Sequence, residues 1–259
     1  MNKDAFAGKT VWLIGASTGI GRALALELSR RGARLALSAR NQSALDALAA
    51  ETGRSDHLAL PLDVTDAAAV KTVFAAAQAQ LGAVDSVILL SAAYTPMALR
   101  ALDMPKVSEM ITTNLAAAFY VIDTVLPAMR ARGAGQIALC GSVAGYAGLP
   151  NGQPYSATKA AIMNLAQSLR AEEASQGIDV RLISPGFVKT PLTDKNDFAM
   201  PAMITPEDAA RRLADGLAGR SFEIHFPRRF TYVMKALAGL PYALYFAAVR
   251  RFVPAKTGH

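Results

Sequence analysis

Apolar residues along this chain fall into two kinds of run. Short runs rich in branched side chains read as buried strands: Thr10–Ile14, 33–38, 58–62, a fourth ending near Leu89, 136–140, 180–183 and 221–226. Between them lie longer Ala/Leu-rich stretches of helical spacing, such as 22–31 and 107–129. Strand and helix alternate nearly end to end. That alternation predicts an α/β fold with a doubly wound parallel sheet. A length of 259 residues suits one large domain with a sizeable core. The expected division is a main α/β domain over 1–226 and an extension over 227–259.

The first strand runs directly into Gly15-Ala16-Ser17-Thr18-Gly19-Ile20-Gly21 and then a helix. A strand, a glycine turn and a helix N-terminus form an anion site, because backbone N–H groups and the helix dipole both face the ligand. The glycines allow a tight turn and close approach by a pyrophosphate. The spacing Gly-x-x-x-Gly-x-Gly differs from the Gly-x-Gly-x-x-Gly fingerprint of many dinucleotide sites.

A second group lies mid-chain. Tyr155 and Lys159 stand four apart, which places them on one helical face. Ser142 follows an apolar strand and precedes that helix across a loop. Hydroxyl, phenol and ammonium can thus converge on one carbonyl oxygen. Alone, Tyr-x-x-x-Lys is common on helices that merely pack or solvate; the glycine turn upstream gives it weight.

Together, the glycine turn, Asn114, Ser142, Tyr155 and Lys159 resemble the short-chain dehydrogenase/reductase family, from about Lys9 to about Thr190. The resemblance implies a Rossmann-type domain, a nicotinamide cofactor and a catalytic set of Asn114, Ser142, Tyr155 and Lys159. Tyr155 would be the general acid in reduction or the base in oxidation. Lys159 would lower its pKa and hold the nicotinamide ribose. Ser142 would steady the substrate oxygen, and Asn114 would hold a relay water. The resemblance further implies cofactor contacts from Gly15, Ser17, Thr18, Gly19, Ile20 and Gly21, from Asp63 and Val64 at the adenine, and from Pro185, Gly186, Val188 and Thr190 at the carboxamide. Two positions depart from the family pattern. Ile14 stands where Thr is usual, and Leu89-Leu90-Ser91-Ala92 replaces Asn-Asn-Ala-Gly. Apolar packing between the first and fourth strands is expected to replace a polar link there.

Charge selects the cofactor. Arg40, with no acidic residue at the end of the second strand, favours the 2′-phosphate of NADP(H) over NAD(H). Tyr94, Thr95, Val143, Ala144, Leu149 and Gln153 flank the catalytic loops and should face the substrate. The loop from Lys189 to Thr205, with Leu192, Phe198, Met200, Met203 and Ile204, is a second expected determinant. No metal is expected.

The formal charge of +7 is uneven, because residues 220–259 carry seven basic side chains against Glu223 alone. No nucleic-acid motif accompanies them, so nucleic acid is not an expected partner. Residues 236–249 form an uncharged, aromatic-rich stretch between Arg228-Arg229 and Arg250-Arg251. It is shorter than the ~20 residues of a membrane span. Three readings stay open: a lid on the cleft, a subunit interface, or a membrane-surface segment over 228–251. A greasy lid would suit a lipophilic substrate such as an acyl chain or sterol. The single cysteine, Cys140, excludes an internal disulfide and fits a reducing compartment. Met1–Phe6 has no apolar core of a secretory signal. The expected location is cytoplasmic, with peripheral contact to the inner face of a membrane, and the expected assembly is a homodimer. Two other functions compete with an enzyme: a non-catalytic nucleotide-binding regulator and a membrane-associated scaffold.

Overall fold

The computed structural model describes residues 5–196, 198 and 200–250. Seven parallel strands form one sheet: β1 Thr10–Ile14, β2 Arg34–Ser38, β3 Leu58–Ala59, β4 Ser86–Leu89, β5 Gly135–Cys140, β6 Ile178–Pro185 and β7 Glu223–Phe226. Their order is β3-β2-β1-β4-β5-β6-β7. Successive side chains of a strand face opposite sides. Val11 and Leu13 therefore join one core with helices α1 (Gly19–Arg30), α2 (Gln42–Glu51) and α7 (Pro206–Ala218). Trp12 and Ile14 join the other, with α3 (Ala67–Leu81), α5 (Ala117–Arg132) and α6 (Tyr155–Glu173). Both faces are covered, which is why the central strands β1 and β4 are buried along their whole length, whereas the edge strand β7 alternates. Strand order reverses between β1 and β4, so the loops after these two strands flank the crevice where ligands bind in doubly wound sheets.

Several elements differ from their sequence expectation, among them β6, which runs over 178–185 rather than 180–183. β3 pairs over two residues rather than five. Leu60 and Leu62 N–H still donate to Leu37 O and Ala39 O at 2.9 and 3.0 Å, but Pro61 between them has no N–H to offer. The helix expected over 107–129 is α4 (Met104–Ile111), a π turn (Thr112–Ala116) and α5. The seventh strand begins at Glu223 rather than 221. The extension forms α8 (Arg228–Ala238), packed on β7, and α9 (Tyr242–Val249), with Pro241 restarting the helix. Met1–Asp4, Asp197, Arg251 and Lys256 lie outside the described residues.

Among the described residues, one helical stretch, Met104–Arg132, has the length and apolar content of a membrane span. Its α5 portion places Val121, Val125 and Met129 in the core.

Candidate active site

The glycine turn closes tightly onto the strand ends. Gly15 has φ +91°, and a Cβ there would lie 2.6 Å from Ser91 N. A Cβ on Gly21 would lie 1.9 Å from Gly15 O. At Gly19 (φ +53°) it would meet Thr190 Cγ2 at 2.9 Å, so residues far apart in sequence border one pocket. α2, α3, α4 and α7 each begin with a side chain that accepts from their first turn: Asn41, Asp66, Asp103 and Thr205. Thr18, at the start of α1, makes no such cap. The first N–H groups of α1 thus stay available to an anion. Ser91 Oγ is buried beside Gly15 without a hydrogen-bond partner among the described residues. These features fit a bound pyrophosphate and its neighbouring ribose.

Arg40 is exposed just beyond β2. Asp63 holds Thr65 Oγ1 at 2.7 Å and Thr65 N at 2.9 Å; these bonds, aided by the charge of Arg40, keep its carboxyl below the usual range. Val64 is buried. Val188 bridges to Ile204, and Thr190 opens a turn closed by Thr193.

Ser142 starts the turn after β5, and its Oγ accepts from Ala144 N at 3.1 Å. Tyr155 begins α6, following Pro154, and Lys159 lies one turn on. Lys159 is 1% exposed and its Nζ donates to Cys140 O at 2.8 Å. The ammonium stands 5.5 Å from the Tyr155 ring centroid. Burial pushes the Tyr155 phenol up, while its hydrogen bond with Ser142 pulls it down. Burial also pushes Lys159 down. Burial is the leading influence on both groups, so in the protein alone the Tyr155 phenol lies above its ordinary value rather than below it, as expected from Lys159.

Asn114 sits in the π turn, a local widening of a helix that often marks a functional site. Its Oδ1 accepts from Ala93 N at 2.7 Å; its Nδ2 donates to Ala93 O at 2.9 Å and to Thr158 Oγ1 at 3.2 Å. Both amide hydrogens are taken, so a relay water would find only acceptor capacity there. The side chain latches the segment after β4 to α6. Sequence reasoning missed Thr158 as its partner, although Thr158 stands beside Lys159.

Tyr94 packs edge-on to Tyr155, with ring centroids 5.0 Å apart, and donates to Asn196 Oδ1 at 2.6 Å. Lys195 Nζ donates to Tyr94 O at 2.8 Å, which ties the 189–205 loop across the cleft. Phe187 meets Phe198 at 5.9 Å and Phe230 at 5.5 Å between centroids. Val143 is buried, and Leu149 and Thr95 are half-buried. Gln153 turns back onto its own helix, where its Oε1 accepts from Ala157 N at 3.3 Å. A group unforeseen from sequence backs the Ser142 turn. Tyr146 Oη donates to Glu223 Oε1 at 2.6 Å, and Lys235 Nζ holds Oε2 at 2.5 Å. Burial raises the Glu223 carboxyl, but these two donors more than offset it and hold it below the usual range. Among the described residues no group of three or more His, Cys, Asp or Glu is gathered as for a metal ion.

A cavity of about 340 Å³ lies at the far end of the sheet, lined by Arg170, Ile178, Asp179, Arg181 and Arg220. Asp179 and backbone carbonyls satisfy Arg181 there, and Asn114, Ser142, Tyr155 and Lys159 are not among its lining residues.

The family model for short chain dehydrogenases matches residues 9–200. The chain belongs to the short-chain dehydrogenase/reductase family. Members of this family are oxidoreductases that bind NAD(P)(H) and act on CH–OH or C=O groups. An oxidoreductase of Myxococcus xanthus without assigned substrate is 34% identical over 94% of this chain and 97% of its own. The 3-oxoacyl-[acyl-carrier-protein] reductase of Escherichia coli is 34% identical over 73% of this chain and 77% of its own. The crystal structure of a short-chain dehydrogenase from Streptomyces avermitilis shares the fold, with TM-score 0.80 at 23% identity over 94% of this chain and 97% of that one. Against the pattern of the family, Ile14 is 1% exposed, and the strand ends are joined through backbone: Leu90 N–H donates to Ile14 O at 2.8 Å. The side chains of these two positions do not meet: Ile14 packs into the core under α3, α5 and α6 and Leu90 against the opposite one, so the expected apolar packing between them gives way to a backbone link.

Proposed function

We propose that the protein is an NADP(H)-dependent oxidoreductase acting on a carbonyl or secondary alcohol of a lipophilic molecule. The convergence of Ser142, Tyr155 and Lys159 beside an uncapped glycine cradle carries this reading. When bound, the nicotinamide supplies or accepts the hydride. The backbone of Gly15–Gly21 holds the diphosphate, Arg40 the 2′-phosphate, and Asp63 with Val64 the adenine. Pro185, Gly186, Val188 and Thr190 border the carboxamide.

Tyr155 then gives its phenolic proton to the substrate oxygen in reduction and takes it back in oxidation. Its raised pKa suits the first role. Ser142 donates to the same oxygen as negative charge develops. Lys159, held by Cys140 O, keeps a cation near the phenol, and Asn114 fixes the loop that faces both. Tyr94, Val143, Leu149 and the Phe187–Phe198–Phe230 cluster supply an apolar wall, which supports a lipophilic substrate. The 3-oxoacyl group named for the E. coli relative is of that class. Exposed Ile111 and Phe119 on α4 and α5 (44% and 51%) support a homodimer through the helices next to Asn114. Residues 1–226 form the catalytic domain in this reading. Residues 227–259 form an extension at the cytoplasmic face of a membrane.

Fluorescence titration with NADPH and NADH tests the cofactor. We expect NADPH to bind at least about tenfold more tightly, an energy of about 1.4 kcal/mol, and Arg40→Asp to reverse the order. Tighter NADH binding, or an unchanged preference in Arg40→Asp, would remove Arg40 from its role. Binding of neither would remove the enzyme reading.

A further inference from the structure

A surface helix normally turns its charges to water and its apolar residues inward. On α9, Tyr245 and Val249 are buried, yet the outward side is apolar too. Tyr242, Leu244 and Phe246 are 80%, 58% and 53% exposed. Ala243 and Ala247 lie between them, and the first charge met is Arg250. Tyr242 and Phe246 stack one turn apart, at 6.0 Å between centroids. α8 adds exposed Tyr232 and Val233, with exposed Arg228 and Arg229 in its first turn. Glu223, the sole acidic residue from 220 onward, is already held by Lys235 and Tyr146.

Charge decides what covers such a face. A second copy bound symmetrically through this face would bring together two segments of formal charge +6, each with Glu223 as its one acidic side chain. An anionic surface meets the arginines with opposite charge. On the outward side of α9 only the Tyr242 hydroxyl can hydrogen-bond, which suits the acyl boundary of a bilayer better than a polar protein surface.

The hairpin is also fastened to the cleft. Tyr245 Oη donates to Gly148 O, and Lys235 reaches Tyr146 through Glu223. Both anchor points belong to the segment between Ser142 and Tyr155. Phe230 lies so close to the turn after β6 that a Cβ on Gly186 would be 3.0 Å from its ring. We propose that α8 and α9 dock on an anionic bilayer, with Tyr242, Leu244 and Phe246 inserted and Arg228, Arg229 and Arg250 at the headgroups. Docking sets the substrate cleft against the lipid, so a lipophilic ketone or alcohol enters from the membrane. The delivery step rests on the lipophilic-substrate reading; the docking itself does not.

The test is co-sedimentation of the full chain with vesicles of phosphatidylcholine, with and without phosphatidylglycerol. Binding should require phosphatidylglycerol and weaken with salt. Leu244→Ser with Phe246→Ser should lower the partition at least about tenfold. Arg228→Ala with Arg229→Ala should lower it about fivefold per arginine and flatten the salt dependence. NADPH titration of each variant checks that the fold is intact and reports the enzyme reading separately. A wild-type chain that binds NADPH but neither vesicle would overturn docking and leave the enzyme reading standing. Vesicle binding without NADPH binding would support docking and sink the enzyme reading. Self-association that disappears in the Leu244/Phe246 variant, without vesicle binding, would assign the face to a second copy instead.

Discussion

The glycine turn after β1 and the α8–α9 hairpin both border the cleft, but they are built on opposite principles. In the turn, backbone does the work: Gly15, Gly19 and Gly21 leave no room for a Cβ, and the N–H groups of α1 stay open. In the hairpin, side chains do it. A tyrosine hydroxyl, an ion pair and a phenylalanine ring fasten two helices whose outer surface is apolar. A backbone cradle tolerates almost no substitution and suits a ligand of fixed shape. A surface hung on side chains can change from one protein to the next, and suits the variable partner, the substrate and whatever delivers it.

Tyr155 carries the proton in the proposed reaction, and its loss should give the largest effect. Tyr155→Phe should lower turnover by about 10²- to 10⁴-fold, the usual range for a general acid, with NADPH affinity unchanged. Retained turnover would mean that the chemistry lies elsewhere. The pH dependence has a definite sign. Burial holds the phenol above its ordinary value of about 10, so the protein alone should show no Tyr155 phenolate absorbance at lower pH. Reduction, which uses the protonated form, should not fall through neutral pH on account of this group; oxidation should rise with pH.

The next largest effect belongs to the cradle. Gly21→Ala puts a methyl 1.9 Å from Gly15 O, an overlap that only backbone movement relieves. Overpacking of this kind costs about 1–3 kcal/mol, and the moved atoms are those that would hold the diphosphate. NADPH affinity should fall at least about tenfold. Gly148→Ala is the matched control on the hairpin side. Nothing lies within 4 Å of a Cβ there, and the carbonyl that Tyr245 uses is kept. Its NADPH binding should equal that of the unmodified chain. Equal losses in both variants would erase the contrast between a backbone-built and a side-chain-built wall.

This contrast also accounts for what could be read from sequence. The sheet, the turn at Gly15–Gly21 and the Tyr155–Lys159 pair depend on local periodicity or on glycine spacing, so they are written in consecutive residues. The shortening of β3 was readable in principle from Pro61. The π turn at Asn114 was not, because one extra residue in a helical turn leaves the surrounding apolar pattern intact. The bond from Tyr146 to Glu223 spans 77 positions and has no local signature. Gln153 flanks Tyr155, and its Oε1 accepts from Ala157 N in the helix it precedes, a bond that its place in the loop does not foretell. Proximity in sequence indicates which loop a side chain belongs to; it does not indicate which neighbour wins its hydrogen bonds.

The smallest effect probes the join between the two regions. Tyr146→Phe keeps the ring on the Ser142 turn and removes one donor from Glu223. The carboxylate keeps Lys235, so the half-buried charge is not orphaned. Loss of a hydrogen bond to a charged group costs about 1.5–3 kcal/mol of stability, readable as a lower denaturant midpoint. If the Tyr146–Glu223–Lys235 bridge only props the fold, kcat at saturating substrate should survive once measured well below the midpoint. If it positions Ser142, kcat should fall several-fold while NADPH affinity holds, because the glycine cradle has its own supports. Glu223→Gln separates the two roles further. It still accepts from Tyr146 but loses the charge that holds Lys235, so hairpin docking should loosen while the Ser142 turn keeps its partner. A change in kcat with Tyr146→Phe and not with Glu223→Gln would trace the coupling to the phenol, and through it to the loop that carries Ser142.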